Sequence, residues 1–164
     1  MSAAQKQETV EVARFEPRLA EAFRALNLAW IERYFVVEEM DHHQLDDPQS
    51  TVIAPGGEVF FVLESGRPVG CVAMVPEGDG VYELAKMAVD PACQGRGYSN
   101  LLMQAALDWA REKNARKVLL LSNTKLAPAI ALYRKWGFTT TRLGPHPHYK
   151  RTDIEMEIDL QPGS

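Results

Sequence analysis

Residues 89–110, VDPACQGRGYSNLLMQAALDWA, hold the pattern with the clearest chemical use. A strand-like run stops at Asp90-Pro91, a glycine loop follows (Gln94, Gly95, Arg96, Gly97, Tyr98, Ser99), and an amphipathic helix begins at once. Such a loop cradles phosphate, because the first N–H groups of a helix lack internal partners and the helix dipole favours an anion. Two phosphate loops do not fit. A P-loop needs Lys and then Ser or Thr after its last glycine, whereas Tyr98 follows Gly97. The dinucleotide fingerprint needs glycine or alanine where Asn100 stands, within a parallel strand–helix–strand unit. The plain alternative is a strand-to-helix turn whose glycines serve geometry only.

The other reactive residues carry less. His42-His43 and His146-Pro147-His148 have no metal-ligand spacing, so no metal is expected. Cys93 lies beside the loop without a histidine paired to it by motif, and reads as a small packed thiol. With Cys71 it makes two cysteines, which suit a reduced cytoplasmic protein better than a disulfide scaffold.

Positioning the loop requires a sheet. TVEVARF reads as a first strand, and the following helix carries Leu19, Ala22, Phe23, Leu26 and Trp30 at helical spacing. VVEEMDHHQLDD is an acidic helix or loop closed by Pro48. EVFFVLESGRPVGCVAMVP is a hairpin turning at Ser65-Gly66, and GVYELAKMAV is the strand that leads into the loop. The helix from Ser99 to about Lys113 aligns Leu101, Leu102, Ala105 and Trp109. RKVLLL is a buried strand; Ser122, Asn123 and Thr124 offer capping side chains before a helix with Pro128 in its first turn and Gly137 after its end. FTTTRL and RTDIEMEIDL close the chain. This order predicts an α+β fold, a mixed sheet with helices on both faces. The chain has 164 residues, a length that fits one domain, with its core at about 10–160.

The formal net charge of -4 indicates no broad attraction to nucleic acid. MSAAQKQETVEV lacks the apolar run of a signal peptide, and no stretch is apolar enough to span a bilayer. A cytoplasmic location is expected.

The loop matches Gln/Arg-x-x-Gly-x-Gly/Ala with Gln94, Gly97 and Ser99, serine being a small departure in the last place. Joined in order with AIALYRKWGF, which contains Leu132-Tyr133 and Gly137-Phe138, the chain resembles the GNAT superfamily of acetyl-CoA-dependent N-acetyltransferases. The resemblance covers roughly Val10 to Leu160 in element order and is strongest from Tyr82 to Phe138. It implies a central, mostly antiparallel, twisted sheet of about seven strands. The pyrophosphate of acetyl-CoA then falls on Gln94, Gly95, Arg96, Gly97, Tyr98 and Ser99, and the pantetheine arm along Met87, Ala88 and Val89. An asparagine frequent seven residues before the tyrosine is replaced by Leu126, and Asn123 is the candidate substitute.

By the same resemblance Tyr133 points its hydroxyl at the CoA sulfur. A phenol near pKa 10 cannot readily protonate a thiolate near 8.5, so hydrogen-bond donation is the expected role, with core packing as the alternative. Glu83, four residues before Met87, is the candidate base for the amine, or else an exposed strand glutamate. A lysine-like amine needs that help, since neutralising it at pH 7 costs roughly 4–5 kcal/mol. A backbone N–H near Met87 serves as an oxyanion donor. Trp30, Tyr34 and Tyr149 are candidate acceptor-pocket residues.

The resemblance thus implies transfer of acetyl to a primary amine by direct attack in a ternary complex, for no activated cysteine or serine is evident. A small-molecule acceptor is expected, with a protein amine, a non-catalytic acyl-CoA sensor and a nucleotide-binding protein as rivals. A homodimer is suggested by family analogy alone. Residues 38–47, EEMDHHQLDD, carry five acids and no lysine or arginine. They read either as an acidic wall that steers cationic acceptors or as a solvated helix face.

Overall fold

The computed structural model describes residues 9–160; the polar lead before Thr9 lies outside them. Strand β1 (Val10–Arg14) is followed by a short turn, then by helices α1 (Ala20–Tyr34) and α2 (Glu39–Asp46). A single π-type turn over Gln49–Ile53, absent from the sequence reading, delivers the chain to β2 (Glu58–Glu64). Then come β3 (Arg67–Gly78), β4 (Val81–Val89), α3 (Tyr98–Glu112), β5 (Lys117–Ser122), α4 (Ala127–Lys135), β6 (Thr139–Leu143) and β7 (Ile154–Asp159).

The seven strands make one sheet in the order β1-β2-β3-β4-β5-β7-β6. All neighbours are antiparallel except β4 and β5, which are parallel. The α+β expectation therefore holds, with a mixed and mostly antiparallel sheet.

Alternation along β2 sorts the core into two layers. Phe60 and Val62 join Leu102, Met103 and Ala106 of α3 on one face. Val59, Phe61 and Leu63 join Phe23 and Ile31 of α1 on the other. Two helix faces differ from the spacing expected. The buried stripe of α1 is Phe23, Asn27 and Ile31, continued by Leu19 just before the helix, and Trp30 is only partly buried. In α3, Leu101 is exposed while Met103, Ala106 and Leu107 are buried. Amphipathic spacing finds such a helix but misplaces its stripe when a satisfied polar residue such as Asn27 sits inside it. The Asn27 amide donates to the Phe23 carbonyl at 2.9 Å and accepts from the Trp30 indole at 3.3 Å.

One glycine is required by close approach. A Cβ on Gly57 would stand 2.3 Å from the Met74 carbonyl oxygen and 2.7 Å from that of Val52, both backbone atoms. Gly57→Ala is expected to lower the unfolding free energy by about 1–3 kcal/mol through overpacking. Urea denaturation should show the midpoint falling at constant slope; an unmoved midpoint would mean that the backbone yields without cost.

Candidate active site

The site begins with a mismatch between two strands. Cys71 of β3 pairs with Ala88 of β4, but Ala73 pairs with Ala85, so Lys86 and Met87 together oppose Val72. Such a bulge bends its strand and increases local twist. Lys86 adopts φ +56°, a left-handed conformation uncommon for a residue with a side chain. The β4–β5 ladder runs from Val81↔Lys117 to Glu83↔Leu119 and stops there, although β4 continues to Val89 and β5 to Ser122. Beyond Glu83 the two parallel strands part.

A cavity of about 660 Å³ lies in this split. Met87, Ala88 and Val89 line it from β4, and Asn123 lines it beyond the end of β5. Gln94, Gly95, Gly97, Tyr98 and Ser99 line it from the loop. Glu83, Tyr133, Trp30, Tyr34 and Tyr149 complete the set that the sequence singled out. Arg96 is the exception. Its guanidinium does not line the cavity and instead binds Glu64 at 2.6 Å.

The loop has the form an anion needs. Gly95 and Gly97 have φ of +84° and +80°, and a Cβ on either would meet nothing within 4 Å, so open space stands before the backbone. No side chain caps the start of α3. Beneath the loop, buried Glu64 at the end of β2 accepts from the Tyr98 hydroxyl at 2.5 Å as well as from Arg96. Glu64 was not legible as a partner of the loop, because the contact joins residues 34 apart in sequence.

Glu83 and Tyr133 enter the cavity from opposite faces of the sheet. Leu84 packs in the α3 layer, so strand alternation turns Glu83 to the α1 side. Tyr133, on α4, packs in the α3 layer, its ring 6.2 Å from that of Phe138. Burial pushes the Glu83 carboxyl up to about 7, and repulsion by Glu77 adds to the shift against the opposing charge of Lys86. Burial also pushes the Tyr133 phenol up to about 12. Among the described residues its hydroxyl has no protein partner, yet no buried side-chain polar atom is sealed without one, so it opens into the cavity.

The acidic segment 38–47 is not an acidic wall. Asp41 is fully buried and binds the Lys86 ammonium at 2.5 Å, while both guanidinium nitrogens of Arg151 also contact its carboxylate. Burial opposes ionisation of Asp41, but hydrogen bonds from Arg151 and the charge of Lys86 hold it well below the usual carboxylate range. Glu38 accepts from Arg151 at 3.3 Å and from the Lys150 N–H at 3.1 Å, and Asp46 pairs with Arg24. Three of the five acids are thus engaged by cations, and the steering expectation loses its basis. The cations come from β4, α1 and the segment before β7, so a local count of charges missed them.

Asn123 builds a turn rather than a helix cap. Its side chain accepts from the Lys125 N–H at 2.9 Å and donates to the Arg151 carbonyl at 2.6 Å. Thr124 is bound through its N–H and hydroxyl to Asp153, and α4 starts without a side-chain cap. Cys93 is buried and its thiol is raised by burial, in keeping with a packed residue. Among the described residues no group of three His, Cys, Asp or Glu could hold a metal ion, and no helix is long and apolar enough to cross a membrane.

A model of the acetyltransferase (GNAT) family matches residues 19–138. The chain belongs to that family. It is an acyltransferase by that membership. This GNAT chain is 34% identical to the IAA acetyltransferase of Azospirillum brasilense, over 72% of its own length and 75% of that protein. It is 33% identical to a mycothiol acetyltransferase of a Nocardioides species over 62% of its length, but spans only 35% of that longer protein. A GNAT acetyltransferase structure from Staphylococcus aureus Mu50 superposes with a TM-score of 0.85 at 16% identity, covering 93% of this chain and all of that one, which shows a common fold.

In this GNAT chain the Lys86 bulge rests on Asp41. Asp41→Asn would leave two largely buried cations without their shared counter-charge, and should lower stability by about 3–5 kcal/mol. Adding Lys86→Met should recover part of the loss. Because the folded pKa of Asp41 is depressed, the wild-type advantage is present at neutral pH and should shrink only below about pH 4, as the carboxylate protonates in the unfolded chain. Denaturant unfolding across pH reads this directly; a variant as stable as wild type would show the bulge to be held by other contacts.

Proposed function

We propose that this acyltransferase moves the acetyl group of acetyl-CoA to a primary amine of a small molecule, by direct attack within a ternary complex. The observation that carries the reading is the entry of Glu83 and Tyr133 into one cleft from opposite faces of the sheet. The cleft also has a phosphate-compatible loop at its head and the unpaired edge of β4 along its side. Those edge amides suit a peptide-like arm, which needs no special side chain to be held.

On the α1 side, Glu83 takes the proton of the amine. A carboxyl near 7 is matched to that task, being basic enough to accept the proton yet largely ionised slightly above neutrality. The amine nitrogen then forms its bond to the thioester carbonyl carbon, and a β4 N–H near Met87 donates to the carbonyl oxygen as it gains charge. On the other face Tyr133 donates a hydrogen bond to the sulfur as the C–S bond breaks. Its phenol, held near 12, stays protonated, while the second proton, shed by the nitrogen after it bonds to carbon, passes through water to the departing thiolate. Neither cysteine suits a covalent intermediate: Cys71 is pushed up to about 12 by burial, and Cys93 is buried and raised. Relatives carrying the names IAA acetyltransferase and mycothiol acetyltransferase support a small acceptor.

Glu83→Gln tests this reading against a non-catalytic acyl-CoA sensor. Amine-dependent CoA release should fall by about 10²–10⁴-fold, the usual worth of a general base. In wild type kcat/KM should decline below about pH 7, as Glu83 takes up its proton, and the glutamine variant should lose that acidic limb. Amine-dependent release that is unchanged in rate and pH profile would overturn the assignment.

A further inference from the structure

The α1 side of the cleft presents a set of rings beside Glu83. Trp30, Tyr34 and Phe35 reach the cavity from the end of α1, and Tyr149 reaches it from the segment before β7. Trp30 and Phe35 meet edge to face at 6.3 Å. The only polar atom of Trp30 is bound to Asn27 within the helix, so the indole offers the cavity a purely apolar surface. Tyr149 is flanked by the Arg151 guanidinium, 5.8 Å from its ring centre, and its phenol is pushed up to about 12 by burial and by the nearby Glu83 and Asp41 carboxylates. It therefore stays neutral.

The two cations on this side are spent. Lys86 and Arg151 line the cavity, but both are bound to Asp41, and Arg151 is bound to Glu38 as well. Two cations thus stand against two carboxylates in a buried cluster. A carboxylate or phosphate held among these rings would have to displace one of these bonds, the other lining cation being Lys125 in the turn before α4. A second ammonium there would meet Glu83, Glu77 and Glu155 together and offset the repulsion that, beside burial, holds the Glu83 carboxyl up.

We propose that the acceptor is a primary amine carried on a flat, uncharged aromatic body, an arylalkylamine, whose ring lies among Trp30, Tyr34 and Tyr149. The proposal rests on the acetyltransferase reading above and names its substrate class. Offset or edge-to-face contact with two such rings is worth about a factor of ten in affinity.

The experiment measures CoA release from acetyl-CoA by the wild-type protein with 2-phenylethylamine, tryptamine, n-butylamine, spermidine and glutamate. The two arylalkylamines should exceed n-butylamine in kcat/KM by at least about tenfold, with spermidine and glutamate below both. Trp30→Ala should collapse the ratio of tryptamine to n-butylamine toward one. Tyr34→Ala, at a side chain already more than half exposed and so of little consequence for folding, should reduce the same ratio. Butylamine, spermidine or glutamate equalling the aromatic amines would overturn the proposal while leaving the acetyltransferase reading intact. An aromatic preference that survives both substitutions would overturn the placement of the ring. If no amine accelerated CoA release, the acetyltransferase reading itself would fall, and this proposal with it.

Discussion

Lys86 stands in a left-handed conformation in the middle of a strand, and Asp41 reaches from α2 to hold its ammonium. A residue with a side chain adopts that conformation at a cost of about 1–3 kcal/mol, and persists there only when its surroundings compel it. Here the compulsion is electrostatic. The ion cluster of Asp41, Lys86, Arg151 and Glu38 fixes the bulge, and the bulge accompanies the parting of β4 from β5. Since Asp41 belongs to α2 and Arg151 precedes β7, the same cluster ties both segments to the strand that forms the cleft.

Under the proposed reaction, the split sheet gives the chemistry its direction. A cleft that passes between two strands can be approached from both faces, and the two core layers supply different groups to it. The α3 layer brings the glycine loop and Tyr133, and the α1 layer brings Glu83 and a set of rings. A nucleophile and a leaving group on opposite sides of a thioester carbonyl match that division. Burial then tunes each group for its side, raising a carboxyl into the range of a base and keeping a phenol protonated.

Much of this was legible in the sequence where the information is local. Ser65-Gly66 between apolar runs announced the β2–β3 hairpin, and Gly137 after Trp136 marked the end of α4. The glycine loop and the Leu132–Phe138 stretch pointed to the fold and to most of the cavity lining. What escaped were the interactions between distant segments. Lys86 looked like an ordinary lysine in an apolar strand, although a lone cation in ELAKMAV was a hint that a buried partner existed. An acidic helix or loop over VVEEMDHHQLDD was legible, but not that Asp41 closes the capping box that starts α2 and also turns inward to Lys86 and Arg151. Glu64 and Arg96 misled in the same way, for nothing local showed that the arginine of the loop is drawn beneath it. Charge counts along a segment describe its composition, whereas the field in a cleft depends on which charges meet there.

The central claim is that the unpaired edge of β4, opened by the Lys86 bulge, receives the arm of acetyl-CoA. Amide hydrogen exchange with and without acetyl-CoA tests it most directly, because exchange reports the protection of individual backbone segments. The account predicts slowed exchange confined to residues 84–89 and 94–99, with the already paired Val81–Glu83 little changed. Binding that leaves residues 84–89 exchanging at the free rate would contradict it.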